Sequence, residues 1–116
     1  MLSKAWERRR ARYDFVVVGS GYGGAITAAR LANAPLNPAP SVCLLERGRE
    51  WEVGRFPDRL EEVVAAQRSV ANPSGLYELL TYRDISVIQG SGLGGTSLIN
   101  ANVAIVPDEE TFEKQG

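Results

Sequence analysis

The stretch from Tyr13 to Leu31, YDFVVVGSGYGGAITAARL, constrains the fold of this chain more than any other. Asp14 to Val18 is a short apolar run rich in β-branched residues, the composition of a strand buried on both faces. It runs into Gly19-Ser20-Gly21-Tyr22-Gly23-Gly24, which fits G-x-G-x-x-G through Gly19, Gly21 and Gly24. Ala25 to Ala32 then offers small and aliphatic residues with no breaker, which predicts a helix. Strand, glycine turn and helix arrive in the order that a dinucleotide site requires. In that reading Gly19 permits the tight turn and Gly21 leaves the backbone bare for a pyrophosphate. Gly24 lets the helix pack closely on the strand. The unpaired N–H groups of the first helical turn then face the phosphates, so Gly19, Gly21, Tyr22, Gly23 and Gly24 are the candidate residues here. A glycine turn that binds nothing is the competing reading.

Pro35, Pro38 and Pro40 follow closely, so the helix should end near Asn33 and a surface connection should occupy Ala34 to Ser41. Ser41 to Leu45 reads as a second strand ending at Glu46. That acid lies 22 residues beyond Gly24, close to the roughly 20 expected of an acid that binds an adenosine ribose. A carboxylate there accepts ribose hydroxyl protons and repels a 2′-phosphate. A surface glutamate at a strand end is the alternative. Arg47 is expected to reach solvent or the adenosine side.

Pro57-Asp58-Arg59-Leu60-Glu61 has the form of a helix start, with Asp58 as cap and Glu61 bonding back. Leu60, Val63, Val64 and Ala71 recur at helical spacing and should face a core, and Asn72-Pro73-Ser74-Gly75 should end that helix. Trp51 and Phe56 suit either core filling or packing over a cofactor. Ile85 to Ile88 is a short strand candidate, entering a second glycine turn from Gly90 to Ser97. Backbone N–H groups freed by Gly94 and Gly95, with the hydroxyls of Thr96 and Ser97, suit a second face of the phosphates. Asn100 and Asn102, beside Ala101 and Val103, suit the rim of a planar heteroaromatic ring. A turn before a buried strand explains the same residues without a ligand. Pro107 to Phe112 looks like the opening of a further helix.

Composition closes several other routes. The 116 residues suit one domain rather than two. A net charge of −1 gives no electrostatic case for nucleic acid or a membrane surface. No apolar run approaches membrane-spanning length. The segment from Met1 to Arg12 is a basic arm, read as a solvated lead into the first strand. It lacks the apolar centre of a secretory signal, which leaves an intracellular setting as the expectation. Cys43 is a lone thiol in an apolar run, more a core residue than a nucleophile. The absence of histidine removes the commonest general base and metal ligand. Chemistry must therefore come from a cofactor or from residues outside these 116.

With both turns placed, the sequence resembles the glucose–methanol–choline (GMC) family of flavin oxidoreductases at its N-terminal part, and within it a cholesterol-oxidase-like branch. The motifs that carry the resemblance are YDFVVVGSGYGGAITAARL with Glu46-Arg47-Gly48, and QGSGLGGTSLINANVAIVPD from Gln89 to Asp108. The resemblance implies a partial Rossmann-like FAD-binding domain over residues 13–116, α/β in class, with an incomplete doubly wound parallel sheet. It implies bound FAD, with Gly19, Gly21 and Gly24 at the pyrophosphate and Glu46 at the ribose. Thr96, Ser97, Asn100, Ala101 and Val103 match the stretch beside the phosphates and flavin. Thr96, Ala101 and Asn102 depart from it, standing where such relatives often have glycine. The implied reaction is hydride transfer from the C–OH carbon of a small-molecule alcohol to flavin N5. The base and the rest of the FAD and substrate domains would lie outside this chain, which alone is expected to be inactive. Two other readings stay open: a NAD-dependent dehydrogenase or reductase segment, and a truncated product that binds a dinucleotide without catalysis.

Overall fold

A computed structural model describes residues 2–101, 104–106, 108 and 110. Its first unit is strand β1 (Phe15–Val18), helix α1 (Tyr22–Ala32) and strand β2 (Val42–Leu45). The strands pair in parallel from Phe15 opposite Val42 to Val18 opposite Leu45. The helix between them lies against both strands, making a βαβ unit. Alanine and leucine favour α1, and Asn33 ends it: its backbone N–H and side-chain amide both donate to the Ala29 carbonyl, at 3.1 and 2.8 Å.

Each end of the strand pair is closed by a serine and an acid. At the lower end, the Asp14 carboxylate accepts the N–H and hydroxyl of Ser41, both at 2.7 Å. At the upper end, Glu46 accepts the N–H and hydroxyl of Ser20, at 3.0 and 2.6 Å. The acid belongs to the β1 side at one end and the β2 side at the other.

β1 is not buried on both faces. Val16 and Val18 are 55 and 82% exposed, because β2 takes one edge, α1 takes one face, and nothing else among the described residues covers the rest. The second helix is also shorter than expected. α2 spans Leu60–Ala65, and Arg59, rather than Asp58, stands at its N-cap with no side-chain bond. Glu62, not Glu61, reaches back, accepting the Asp58 N–H at 3.3 Å. The helix stops because Leu76 N–H takes the Ala66 carbonyl and Arg68 N–H takes that of Tyr77, at 2.7 and 2.6 Å. The expected core face falls with it. Leu60 and Val64 are largely exposed, and Ala71 is exposed too, while Ala66 and Leu76 are buried instead.

The larger correction concerns the sheet. β3 (Tyr77–Thr81) has no counterpart in the sequence reading: its strand-favouring residues, Tyr77 and Thr81, stand only at its two ends. It pairs antiparallel with β4 (Ser86–Gly90), and Tyr82 N–H closes the turn onto the Ile85 carbonyl at 2.8 Å. The described residues thus form an α/β arrangement of one parallel pair and one separate hairpin, rather than a growing parallel sheet. A 3₁₀ turn, Gly95–Leu98, follows the hairpin, and another, Trp6–Arg8, interrupts the N-terminal arm. Of the helix expected from Pro107 to Phe112, most residues lie outside those described. Among the described residues no helix is long and apolar enough to cross a membrane.

Candidate functional site where the two glycine turns meet

Three chain segments converge above the upper end of the strand pair: the first glycine turn, the turn after β2, and the second glycine turn. Their approach is close enough to exclude side chains. A Cβ on Gly24 would lie 1.9 Å from the Gly19 carbonyl oxygen. One on Gly95 would lie 2.9 Å from the Cα of Gly21. The sequence expectation that Gly24 permits tight packing is matched by this contact, whose partner is the turn itself as well as the strand.

The polar centre of this junction is Ser20, 2% exposed. Its hydroxyl donates to Glu46 Oε2 and accepts the Gly94 N–H at 2.9 Å. One side chain therefore ties the first turn to β2 and to the second turn, 74 residues away. The other carboxylate oxygen of Glu46 accepts the Gly48 N–H at 2.9 Å. Burial pushes the Glu46 carboxyl up, but bonds from the Ser20 hydroxyl and the amides of Gly48, Ser20 and Arg47 outweigh it. The group is held below its usual range.

Several predicted residues come together around one cavity of about 430 Å³. Gly19, Ser20 and Gly21 form one wall, Leu45, Glu46 and Arg47 another, and Gln89, Gly90, Gly95 and Thr96 a third. A Cβ on Gly21 would meet nothing within 4 Å, so this glycine borders open space. The first helical bond of α1 runs from Ala25 N–H to the Gly21 carbonyl, at 2.8 Å. The N–H groups of Tyr22, Gly23 and Gly24 precede it and have no acceptor inside the helix. Asn100 is brought to the same helix end, its side-chain amide donating to the Tyr22 hydroxyl at 2.6 Å.

Other expectations are revised. The N–H groups of Gly94 and Gly95 are not free, being given to Ser20 Oγ and to the Gly92 carbonyl, the latter at 2.8 Å. Hydroxyls are engaged too: Ser97 donates to the Gly94 carbonyl at 2.8 Å, and Thr96 accepts the Gly90 N–H at 3.3 Å. Arg47 lines the cavity, but its guanidinium pairs with Glu78, whose other oxygen meets Arg68 at 3.3 Å. Ala101 stands near the end of the described run with φ of 53°. Asn102 and Val103 lie outside the described residues. Among those described, no cluster of His, Cys, Asp and Glu could hold a metal ion.

No family model matches the chain, but individual proteins do. It is 33% identical over 106 residues to a cholesterol oxidase of Mycobacterium tuberculosis, and 29% identical over 106 residues to one of Acinetobacter baumannii. It is also 35% identical over 96 residues to an uncharacterised GMC-type oxidoreductase of M. tuberculosis. These alignments take in 83 to 89% of this chain. The chain belongs to the GMC-type oxidoreductase family. It spans only 14 to 18% of the length of these relatives.

Of the residues at this GMC junction that were not candidates from sequence, Ser20 and Trp6 have the side chains that matter most here. Ser20 occupies a variable position of the glycine pattern, and only its partners reveal its part. Trp6 also lines the cavity, and its membership of a basic arm gave no local sign of that. For Ser20 the available signal was a small hydroxyl residue between two glycines, with an acid due at the end of the next strand.

Proposed function

We propose that this chain is the cofactor-binding portion of a flavin-dependent oxidoreductase acting on CH–OH groups of alcohols, with FAD as the cofactor and a Rossmann-like fold around it. A sterol-like alcohol is one candidate substrate class. The observation that carries the reading is the shared cavity: two glycine turns, meeting at Gly21 and Gly95, open beside Glu46 onto one space. At about 430 Å³ it falls within the roughly 300–1,000 Å³ of small-molecule sites. It suits the adenosine diphosphate half of the cofactor.

The donors fit that half. Gly21 presents bare backbone, and the N–H groups of Tyr22, Gly23 and Gly24 favour an anion at the start of α1. Glu46 is held ionised and lines the cavity, as the proposed partner of a ribose hydroxyl. Gly95 and Thr96 form the facing wall, with Ser97 in the same short turn. Asn100, Ala101, Asn102 and Val103 are proposed to continue toward the flavin ring. Arg47 acts indirectly, through its pairing with Glu78. Flavin, when bound, supplies the hydride acceptor for alcohol oxidation. A base is not available from histidine in this chain.

Substitution separates ligand binding from folding. Gly21 has φ of −61° and open space at its Cβ position, so Gly21→Ala is expected to change stability by less than about 0.5 kcal/mol. Its methyl group enters the phosphate space, and FAD binding is expected to weaken at least about tenfold. Gly24→Ala is expected to disrupt the turn itself. Titration calorimetry with FAD and NAD tests the reading. Undiminished FAD affinity in Gly21→Ala, or a preference for NAD, would sink it.

A further inference from the structure

We propose that the N-terminal arm is part of the dinucleotide site, with Trp6 forming the wall against which the adenine base stacks. This rests on the FAD reading above. Trp6 borders the same cavity as Glu46, the acid proposed to meet the ribose. It is a large aromatic left 59% exposed, and a flat apolar ring beside a ribose site offers an adenine the stacking surface that it seeks in water.

The arm is fastened in place. The Glu50 carboxylate accepts the Leu2 N–H at 2.7 Å, and the Ser3 N–H and hydroxyl at 2.8 Å. Those bonds, the Ser3 and Leu2 amides foremost, hold its carboxyl down to about 2. The Arg9 guanidinium lies 4.1 Å from the centre of the Trp6 ring, and its Nη1 donates to the Trp6 carbonyl at 3.0 Å. Arg10 N–H is taken by the Tyr13 hydroxyl at 2.9 Å. Glu46 and Glu50 thus divide the work of one short segment: the first fixes the glycine turn, the second fixes the arm that faces it.

The test is ADP and FAD binding by the full chain. Trp6→Ala is expected to weaken both roughly tenfold without moving the thermal midpoint, and Trp6→Phe to restore part of the loss. Glu50→Ala, outside the cavity, is expected to weaken binding likewise by releasing the arm. In a Trp51→Phe background, ADP should quench the remaining indole emission. FAD binding that is unaffected by Trp6→Ala overturns the arm assignment and leaves the FAD reading standing. Failure of the unsubstituted chain to bind either ligand overturns both.

Discussion

Ser20 shows how much one side chain can organise when it is buried between backbone turns. Its hydroxyl has a donor role toward Glu46 and an acceptor role toward Gly94, so truncation strands groups on both sides. Ser20→Ala is expected to cost about 1–3 kcal/mol, read as a lowered denaturant midpoint. Cysteine in its place should not rescue it, because a thiol is a weaker donor and acceptor. Ala101 carries the opposite kind of expectation. Its φ of 53° is a left-handed conformation that a Cβ disfavours. Ala101→Gly is expected to stabilise the chain by about 0.5–1 kcal/mol, net of the extra freedom glycine gains when unfolded. An unchanged midpoint would show that the backbone relaxes there without help.

At the scale of elements, the βαβ unit was legible because its signals are local. The apolar run, the glycine spacing and the proline-rich connection each act within a few residues, and β1, α1 and β2 fall where they predict. The expected burial of β1 failed because burial depends on what lies over the strand, which no local pattern records. β3 escaped for a similar reason: Tyr77 and Thr81 favour a strand, but the segment between them gives no alternation, and its pairing with β4 is what no local pattern records. Arg47 was expected to be free, and its partner Glu78 lies 31 residues on. The two serine–acid closures give the strand pair a pH signature. Hydrogen bonds from Ser41 lower the Asp14 carboxyl, and Glu46 is lowered as described, from ordinary values of 3.8 and 4.5. A lowered carboxyl stabilises the fold fully above its unfolded value and ceases to do so as pH falls through the folded one. The thermal midpoint is therefore expected to decline as pH drops below about 4.5, with a shallower decline in Asp14→Asn. An equally steep decline in that variant would remove Asp14 from the account.

For the molecule as a whole, the most buried side chains among the described residues are polar ones at the junction of turns. Ser20 and Ser91 are each 2% exposed, while Val18, Leu60 and Val53 stand largely in solvent. Ser20 lines the cavity, so a ligand placed there should act on stability directly. FAD at a hundred times its Kd is expected to raise the unfolding free energy by about 2.7 kcal/mol, visible as a higher midpoint in a thermal scan. No shift at saturating FAD would argue against a site at this junction. Oxidation of an alcohol is a separate matter. With no histidine among the 116 residues, turnover by this chain alone is expected to be absent, and measurable oxidation of added alcohols by the purified chain would refute that.

The bond between Ser20 and Gly94 also sets a schedule. The first glycine turn leaves the ribosome long before its partner, since 74 residues separate the two. At synthesis rates of about 5–20 residues per second, that is an interval of roughly 4–15 s. During it the β1 turn exists without the hydroxyl contact that pins it. The site proposed for a dinucleotide is therefore complete only once the second turn has emerged, and not on the completion of the first.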